Sequence, residues 1–234
     1  MGQIIGGVFV LIIALIALFV WLASRANKRR SESIREWSFR NGYNFTPGPM
    51  PALQLAPIER FEIKGETVEA EARNIASGSR MTLFDFSHAT RHESGVMNNR
   101  TQYQRKITAC ALFKLDEPLP RFMFMSMSTA GSDSLTGKLV SSAIGLAKFV
   151  GPGRPGQLIA IDDRPGFLLH TDDDAERVQS LFREPRFFDD KCGWEVHCTG
   201  TWMLLSCKPV EPAGYDAFAN LAQQIREHFT RLSS

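Results

Sequence analysis

Residues 4–23 read IIGGVFVLIIALIALFVWLA, a stretch with no charged or amide side chain. As an α-helix this stretch would be about 30 Å long, which matches the hydrocarbon core of a lipid bilayer. A helix also satisfies its own backbone hydrogen bonds, as a chain surrounded by lipid must. The sequence therefore predicts a transmembrane helix at residues 4–24, with the rest of the chain tethered to it.

Basic residues follow the predicted span but do not precede it, since residues 1–3 carry no side-chain charge. The four basic residues after the span are Arg25, Lys28, Arg29 and Arg30. Lys and Arg next to a span are retained in the cytoplasm, so we expect residues 1–3 outside and the long C-terminal part in the cytoplasm. Trp21 fits either an aromatic anchor at the headgroup level or another apolar residue of the span.

A cleaved signal peptide is the competing interpretation of this region. Such a peptide needs a basic start and a shorter apolar core, and both are missing here. Ala23 and its small neighbours are the one hint of a cleavage site. The pattern therefore favours an uncleaved signal-anchor.

The charge of the remaining chain excludes one class of partner. With the four flanking bases set aside, 23 basic residues stand against 25 acidic ones. Nucleic-acid binding requires a strongly basic face, so we expect no nucleic-acid partner. The expected partners are the lipid bilayer, whose anionic lipids suit the basic flank, and an unidentified protein or small molecule.

The cysteines indicate a reducing compartment. Cys110 and Cys207 lie in apolar, strand-like runs, as buried reduced thiols do. Cys192, His197 and Cys198 form a loose cluster, whereas a structural zinc site uses two paired short spacings. The sequence therefore predicts neither a metal nor another cofactor.

The pattern after the span predicts an α+β fold. Residues 25–57 indicate a basic juxtamembrane segment, a short helix begun by Ser31 that packs Trp37 on the domain and stops at Gly42, and a Pro-rich linker. Residues 58–234 alternate with period two and end in an amphipathic helix, which indicates an antiparallel sheet with flanking helices. A sub-boundary is expected near residues 129–156.

Residues 135–150 have one apolar helical face. This pattern predicts a helix that either packs on the sheet or lies on the membrane surface. The second arrangement would make the protein a peripheral lipid-surface binder as well as an anchored one.

Asp85 is the carboxylate that the sequence constrains most, because it stands between Phe84 and Phe86. If the two phenylalanines face one side of a strand, Asp85 faces the other. We then expect it to pair with an arginine such as Arg73 or Arg105.

A catalytic alternative would combine Asp85 with His88 and His92 in a hydrolase site. The two histidines have the spacing of a helical metal pair, but the surrounding sequence indicates a strand. In a strand they would be more than about 12 Å apart, too far to share a metal.

A set of short motifs resembles bacterial single-pass membrane-anchored proteins of unknown function. The motifs are Trp37 with Gly42-Tyr43, Arg60-Phe61, Arg73-Asn74 with Gly78, Phe84-Asp85-Phe86 and Leu119-Pro120-Arg121-Phe122. The similarity covers residues 37–124, with weaker agreement over residues 194–205. It implies a bacterial envelope protein and no established activity, so no catalytic residues are carried over.

Taken together, the sequence predicts a membrane-anchored, non-enzymatic α+β domain that binds a partner at the cytoplasmic surface. The alternatives are a tethered hydrolase near Asp85 and lipid binding through residues 135–150. We also expect deletion of residues 1–30 to release a soluble folded domain.

Overall fold

The computed structural model describes residues 2–58, 70–93, 101–126, 157–159, 167–171, 173–182 and 194–233. For some of these residues, including 88–93 and 101–106, the description covers the backbone alone. The predicted helix at 135–150, the region around residues 129–156 and Cys192 lie outside the described residues.

One helix, α1 (Gly2–Arg40), runs without interruption from the apolar stretch into the domain. The predicted break with a new helix at Ser31 is therefore wrong. Residues 24–40 contain no Gly or Pro, and they include many Arg, Lys and Glu residues that favour a helix. The predicted stop at Gly42 is confirmed, since this residue has φ +74°, a left-handed conformation that ends helices and that glycine adopts without strain.

The two halves of α1 have different surroundings. The large apolar side chains between Leu11 and Leu22 are 47–74% exposed. In contrast, Ile34, Trp37 and Ser38 are buried in the domain, as predicted for Trp37. Within residues 11–40, α1 is long and apolar enough to cross a membrane, with a mean hydropathy of 1.6 over an 18-residue window of that range.

The domain is built on one antiparallel sheet. Its strands are β1 (Asn44–Thr46), β2 (Met50–Pro51), β3 (Glu71–Ser77), β4 (Thr82–Glu93), β5 (Thr101–Lys114), β6 (Phe122–Ser126), β7 (Gln157–Ile159), β8 (Phe167–Thr171), β9 (Glu195–Cys198) and β10 (Trp202–Cys207). Their spatial order is β1-β3-β4-β5-β10-β9-β6-β8-β7, and β2 also pairs with β3.

Two further helices complete the described architecture. They are α2 (Ala175–Ser180) and α3 (Tyr215–Ser233), and short 3-10 turns lie at Ala52–Gln54 and Pro212–Gly214. Asp174 caps α2 by accepting hydrogen bonds from the backbone N–H groups of Glu176 and Arg177. An N-terminal apolar helix followed by an antiparallel sheet and a C-terminal helix confirms the predicted α+β fold.

The segment predicted as a Pro-rich linker belongs to the sheet domain instead. β1 and β2 both pair with β3, and Ala52, Ala56 and Ile58 are buried. Pro and Gly exclude a helix here, but they do not exclude short strands at a sheet edge. At Gly48, with φ +75°, an added Cβ would lie 2.7 Å from the carbonyl oxygen of Ala72, so glycine allows the close approach to β3.

The sheet buries both of its faces. One face, including Leu83, Phe113 and Leu205, shares a cluster with the end of α1 and with α3. The other face, including Phe84 and Phe86, packs with residues 52–58. The two phenylalanines therefore share one face while Asp85 faces α1 and α3, as their alternation predicts.

Trp37 packs α1 against the domain, and its substitution tests this packing. Its Nε1 donates a 2.6 Å hydrogen bond to Asp216 Oδ1, and its ring lies 5.2 Å from Tyr43 and 5.4 Å from Tyr215 between centroids. We expect Trp37→Ala to lower the free energy of unfolding by about 3–5 kcal/mol, because it removes a buried aromatic side chain.

The measurement is urea unfolding of the full chain in detergent micelles, followed by near-ultraviolet circular dichroism. Phe39→Ala is the matched control, since Phe39 is on the same helix but 63% exposed, and we expect a change within about 0.5 kcal/mol. Equal losses in the two variants would contradict the proposed role of Trp37.

Candidate functional site

A β-bulge in β3 positions Asn74 beside Asp85. The register between β3 and β4 shifts between Arg73 and Ala76, so Asn74 and Ile75 together oppose Phe84. Asn74 has φ +50°, a conformation that Asn tolerates better than most residues, and its N–H donates to the carbonyl oxygen of Pro47. The side-chain Nδ2 of Asn74 then donates to Asp85 Oδ2 at 2.8 Å.

Asp85 is the centre of a buried polar cluster. Arg30 Nε donates to Oδ2 at 3.0 Å and Arg30 Nη2 to Oδ1 at 2.8 Å, which makes a bidentate ion pair. The hydroxyl of Tyr215 donates to Oδ1 at 3.4 Å. The side chains of Arg30 and Asp85 are 19% and 6% exposed, so the pair is largely withdrawn from water.

The four members of this cluster come from four separate elements. Arg30 lies on α1, Asn74 on β3, Asp85 on β4 and Tyr215 at the start of α3. We call these four residues the Asp85 cluster. It joins the helix that carries the apolar stretch directly to the centre of the domain.

Asp85 pairs with an arginine, as expected, but this arginine is Arg30 and not the predicted Arg73. Arg73 lies opposite Asp85 in the register, but its Nη2 donates to Glu71 Oε2 at 2.8 Å instead. The side chain of Arg105 lies outside the description. The observed partner, Arg30, is 55 residues away in sequence, in a segment whose charges were assigned to the membrane.

Arg30 therefore differs from the other basic residues of the flank. Arg25, Lys28 and Arg29 are exposed, whereas Arg30 is half-buried against Asp85. The guanidinium of Arg25 lies 5.2 Å from the centroid of the Trp21 ring, an arrangement compatible with a headgroup-level anchor. Three of the four predicted flanking bases thus remain exposed on α1.

The titration of buried groups disfavours an activated nucleophile. Burial and the nearby Asp85 charge raise the pKa of Tyr215, so its hydroxyl remains a neutral donor to the carboxylate. Burial raises the pKa of the Cys198 thiol to about 12, so this thiol stays protonated at neutral pH. Burial also raises the pKa of Tyr43.

The backbone of β4 gives no support to a catalytic combination of Asp85, His88 and His92. The three residues lie on one extended strand, three and seven positions apart. At about 3.3 Å per residue, His88 and His92 are about 10 and 23 Å from Asp85 along the strand. Within the part of the chain that the structure describes, no group of three His, Cys, Asp or Glu residues could hold a metal ion.

Sequence reasoning missed Asn74 and Tyr215 as partners of Asp85. For Asn74 a signal was available, because an Asn beside a polar strand residue favours the left-handed conformation of a bulge. For Tyr215 no local signal existed, since its contact with Asp85 spans 130 residues.

A shallow pocket of about 370 Å³ lies at the edge of the sheet beside β2. Its lining is mainly apolar and includes Pro49, Met50, Leu53 and Ala70, with Glu71 at its border. Glu71 is already engaged by Arg73. The described lining therefore offers an apolar contact surface rather than a set of converging polar groups.

Arg30→Gln tests whether the ion pair holds α1 in place. The variant leaves the Asp85 carboxylate buried without its bidentate partner, and we expect the free energy of unfolding to fall by about 3 kcal/mol or more. Urea unfolding in detergent micelles measures the loss. Arg29→Gln removes the same charge from an exposed neighbour and should change stability by less than about 0.5 kcal/mol.

The double variant Arg30→Gln/Asp85→Asn separates charge from packing. It removes the stranded carboxylate, so it should recover part of the stability that Arg30→Gln loses. If Arg30→Gln behaved like Arg29→Gln, the ion pair would not be the attachment described here.

Because the pKa of Tyr215 is raised, we expect the free energy of unfolding to decline at alkaline pH. In the unfolded chain its hydroxyl ionises near the ordinary pKa of 10.0, whereas the folded protein holds the proton to higher pH. Raising the pH above about 10 therefore favours unfolding, by up to about 1.4 kcal/mol per pH unit for this group. Urea unfolding as a function of pH should give a shallower alkaline decline for Tyr215→Phe, and identical slopes would refute this assignment.

No protein-family model matches this chain, and a comparison with curated proteins finds no match. Among solved structures, the chain is similar to the crystal structure of the mycobacterial trehalose monomycolate transport factor A, TtfA. The similarity covers 89% of this chain and 94% of that chain, with a TM-score of 0.53 and 11% sequence identity. At this identity the likeness shows a shared α+β fold.

Proposed function

We propose that this chain is a single-pass protein of a bacterial cytoplasmic membrane that displays a non-enzymatic α+β binding domain on the cytoplasmic side. The observation that carries the proposal is the double role of α1. Its apolar half is exposed, while Arg30, Ile34 and Trp37 of the same helix are built into the domain.

The length of α1 supports a domain held close to the membrane. Arg30 follows the end of the predicted span, Ser24, by six residues, or about 9 Å of helix. No flexible linker separates the two, since α1 is continuous. A partner of this domain would therefore be met at or near the bilayer surface.

Two observations support the cytoplasmic orientation. Arg25, Lys28 and Arg29 are exposed next to the apolar stretch, where basic residues mark the cytoplasmic side. Cys110, Cys198 and Cys207 are buried as thiols, which suits a reducing compartment.

The Asp85 cluster supports binding rather than catalysis. Its carboxylate is buried and bonded by Arg30, Asn74 and Tyr215, so its chemistry is used to hold elements together. TtfA is described as a transport factor, and we take this as support for a non-enzymatic role at a membrane.

Fractionation of bacterial cells tests the anchor. We expect the full chain to remain with membranes after an alkaline carbonate wash, and a variant lacking residues 1–24 to be soluble and folded. A full chain that washes off the membrane, or a mature N-terminus beyond Ser24, would overturn the anchor.

The choice of truncation point matters because of Arg30. Deletion of residues 1–30, which the sequence suggested as a route to a soluble domain, also removes the partner of the buried Asp85. We expect that variant to unfold at lower urea concentration than the variant lacking residues 1–24.

Protease added to spheroplasts tests the orientation, and digestion of the domain in intact spheroplasts would contradict it.

A further inference from the structure

Strands β4 and β5 extend beyond their described neighbours. They pair from Thr82 opposite Leu112 to Glu93 opposite Thr101. Among the described residues, Ser87 is the last residue of β4 that pairs with β3, and Ala109 is the first residue of β5 that pairs with β10. The six residue pairs formed by 88–93 and 101–106 continue past that point for about 20 Å. We call these two segments the ribbon.

Contacts at two levels show the direction in which the ribbon extends. The Trp37 ring packs on Tyr43, and an added Cβ on Gly78 would lie 2.7 Å from Cε1 of Tyr43, which places Trp37 near the β3–β4 turn. Seven residues towards the N-terminus, Arg30 binds Asp85, which lies further along β4. Movement towards the N-terminus of α1 therefore corresponds to movement along β4 towards the ribbon.

The distances along the two elements agree. From Trp37 to Arg30 α1 rises about 10 Å, and from the β3–β4 turn at Met81 to Asp85 β4 advances about 13 Å. The helix and the strand thus run side by side in opposite chain directions. The ribbon continues on the side of the domain from which the apolar half of α1 emerges.

The same measure places the start of the ribbon at the expected membrane surface. His88 lies about 10 Å beyond Asp85 along β4. Ser24, where the predicted span ends, lies about 9 Å beyond Arg30 along α1. The ribbon therefore begins at about the level where α1 would enter the lipid headgroups.

The residue types at these positions suit an anionic surface. The ribbon contains His88, Arg91, His92, Arg105 and Lys106, against Glu93 as its acidic residue. At the same level, α1 exposes three further basic residues, which are Arg25, Lys28 and Arg29. Lys and Arg side chains near an anionic bilayer are attracted to its surface.

We infer that the ribbon and the exposed basic residues of α1 together bind the anionic phospholipid headgroups of the membrane that α1 crosses. The occupant is the lipid surface because the ribbon begins at headgroup height and is basic, while the chain beyond the flank is nearly neutral. The domain would then have two attachments to the bilayer, which fix its tilt. This inference rests on the proposed anchor.

Hydrogen exchange of the full chain in nanodiscs tests the inference. The discs contain phosphatidylcholine alone or phosphatidylcholine with phosphatidylglycerol. We expect amides of residues 88–93 and 101–106 to exchange at least about tenfold more slowly in the anionic discs, because bound headgroups oppose opening of the ribbon. High salt should remove the difference.

Matched variants separate the ribbon from overall charge. Arg91→Gln/Arg105→Gln/Lys106→Gln should abolish the lipid-dependent slowing. Arg40→Gln/Lys114→Gln/Arg177→Gln removes three charges from exposed positions at the far end of α1, the far end of β5 and on α2, and should keep it. Equal loss in both variants would overturn the role of the ribbon.

Position is tested independently of charge by a photo-crosslinking residue at Thr90, with Glu176 as the exposed control site. We expect lipid adducts from Thr90 and none from Glu176. If the chain stays in the discs but shows neither adducts nor lipid-dependent exchange, the ribbon inference is overturned and the anchor stands. If the chain does not stay in the discs, the anchor itself fails and the inference fails with it.

Discussion

The bidentate contact between Arg30 and Asp85 is the constraint on which the arrangement of this protein depends. A carboxylate buried in a sheet is costly unless it is paired, and here its partner arrives on the helix that also carries the apolar stretch. Asn74 and Tyr215 bond the remaining positions of the same carboxylate. The placement of α1, of the β3 bulge and of α3 is thereby specified by one charged group, in addition to the apolar packing around Trp37.

This arrangement separates two uses of positive charge within a few residues. Arg25, Lys28 and Arg29 are exposed and face the surroundings of α1, whereas Arg30 faces the domain interior. A helix turns by about 100° per residue, so adjacent positions such as Arg29 and Arg30 naturally serve different faces. The same short basic sequence can therefore mark membrane orientation and close a polar core, which a count of charges does not distinguish.

The sequence predicted the features that local pattern controls. Apolar composition was enough for the apolar helix, period-two alternation for the opposed faces of Phe84 and Asp85, and Gly42 for the helix stop. The continuity of α1 was missed because Ser31 can begin a helix, although residues 24–40 favour a helix throughout. The strands at 44–51 were missed because their pairing with β3 is decided by packing rather than propensity. The partners of Asp85 were missed because they lie 55 and 130 residues away, beyond the reach of any periodicity.

The unbroken course of α1 has a mechanical consequence. Because α1 is continuous between its apolar half and Arg30, a rotation of the apolar half about the helix axis would turn the whole domain by the same angle. Each residue added to or removed from the helix between the two would change their relative azimuth by about 100°. The number of helical residues between the apolar half and Arg30 therefore sets the direction in which the domain faces relative to the apolar half.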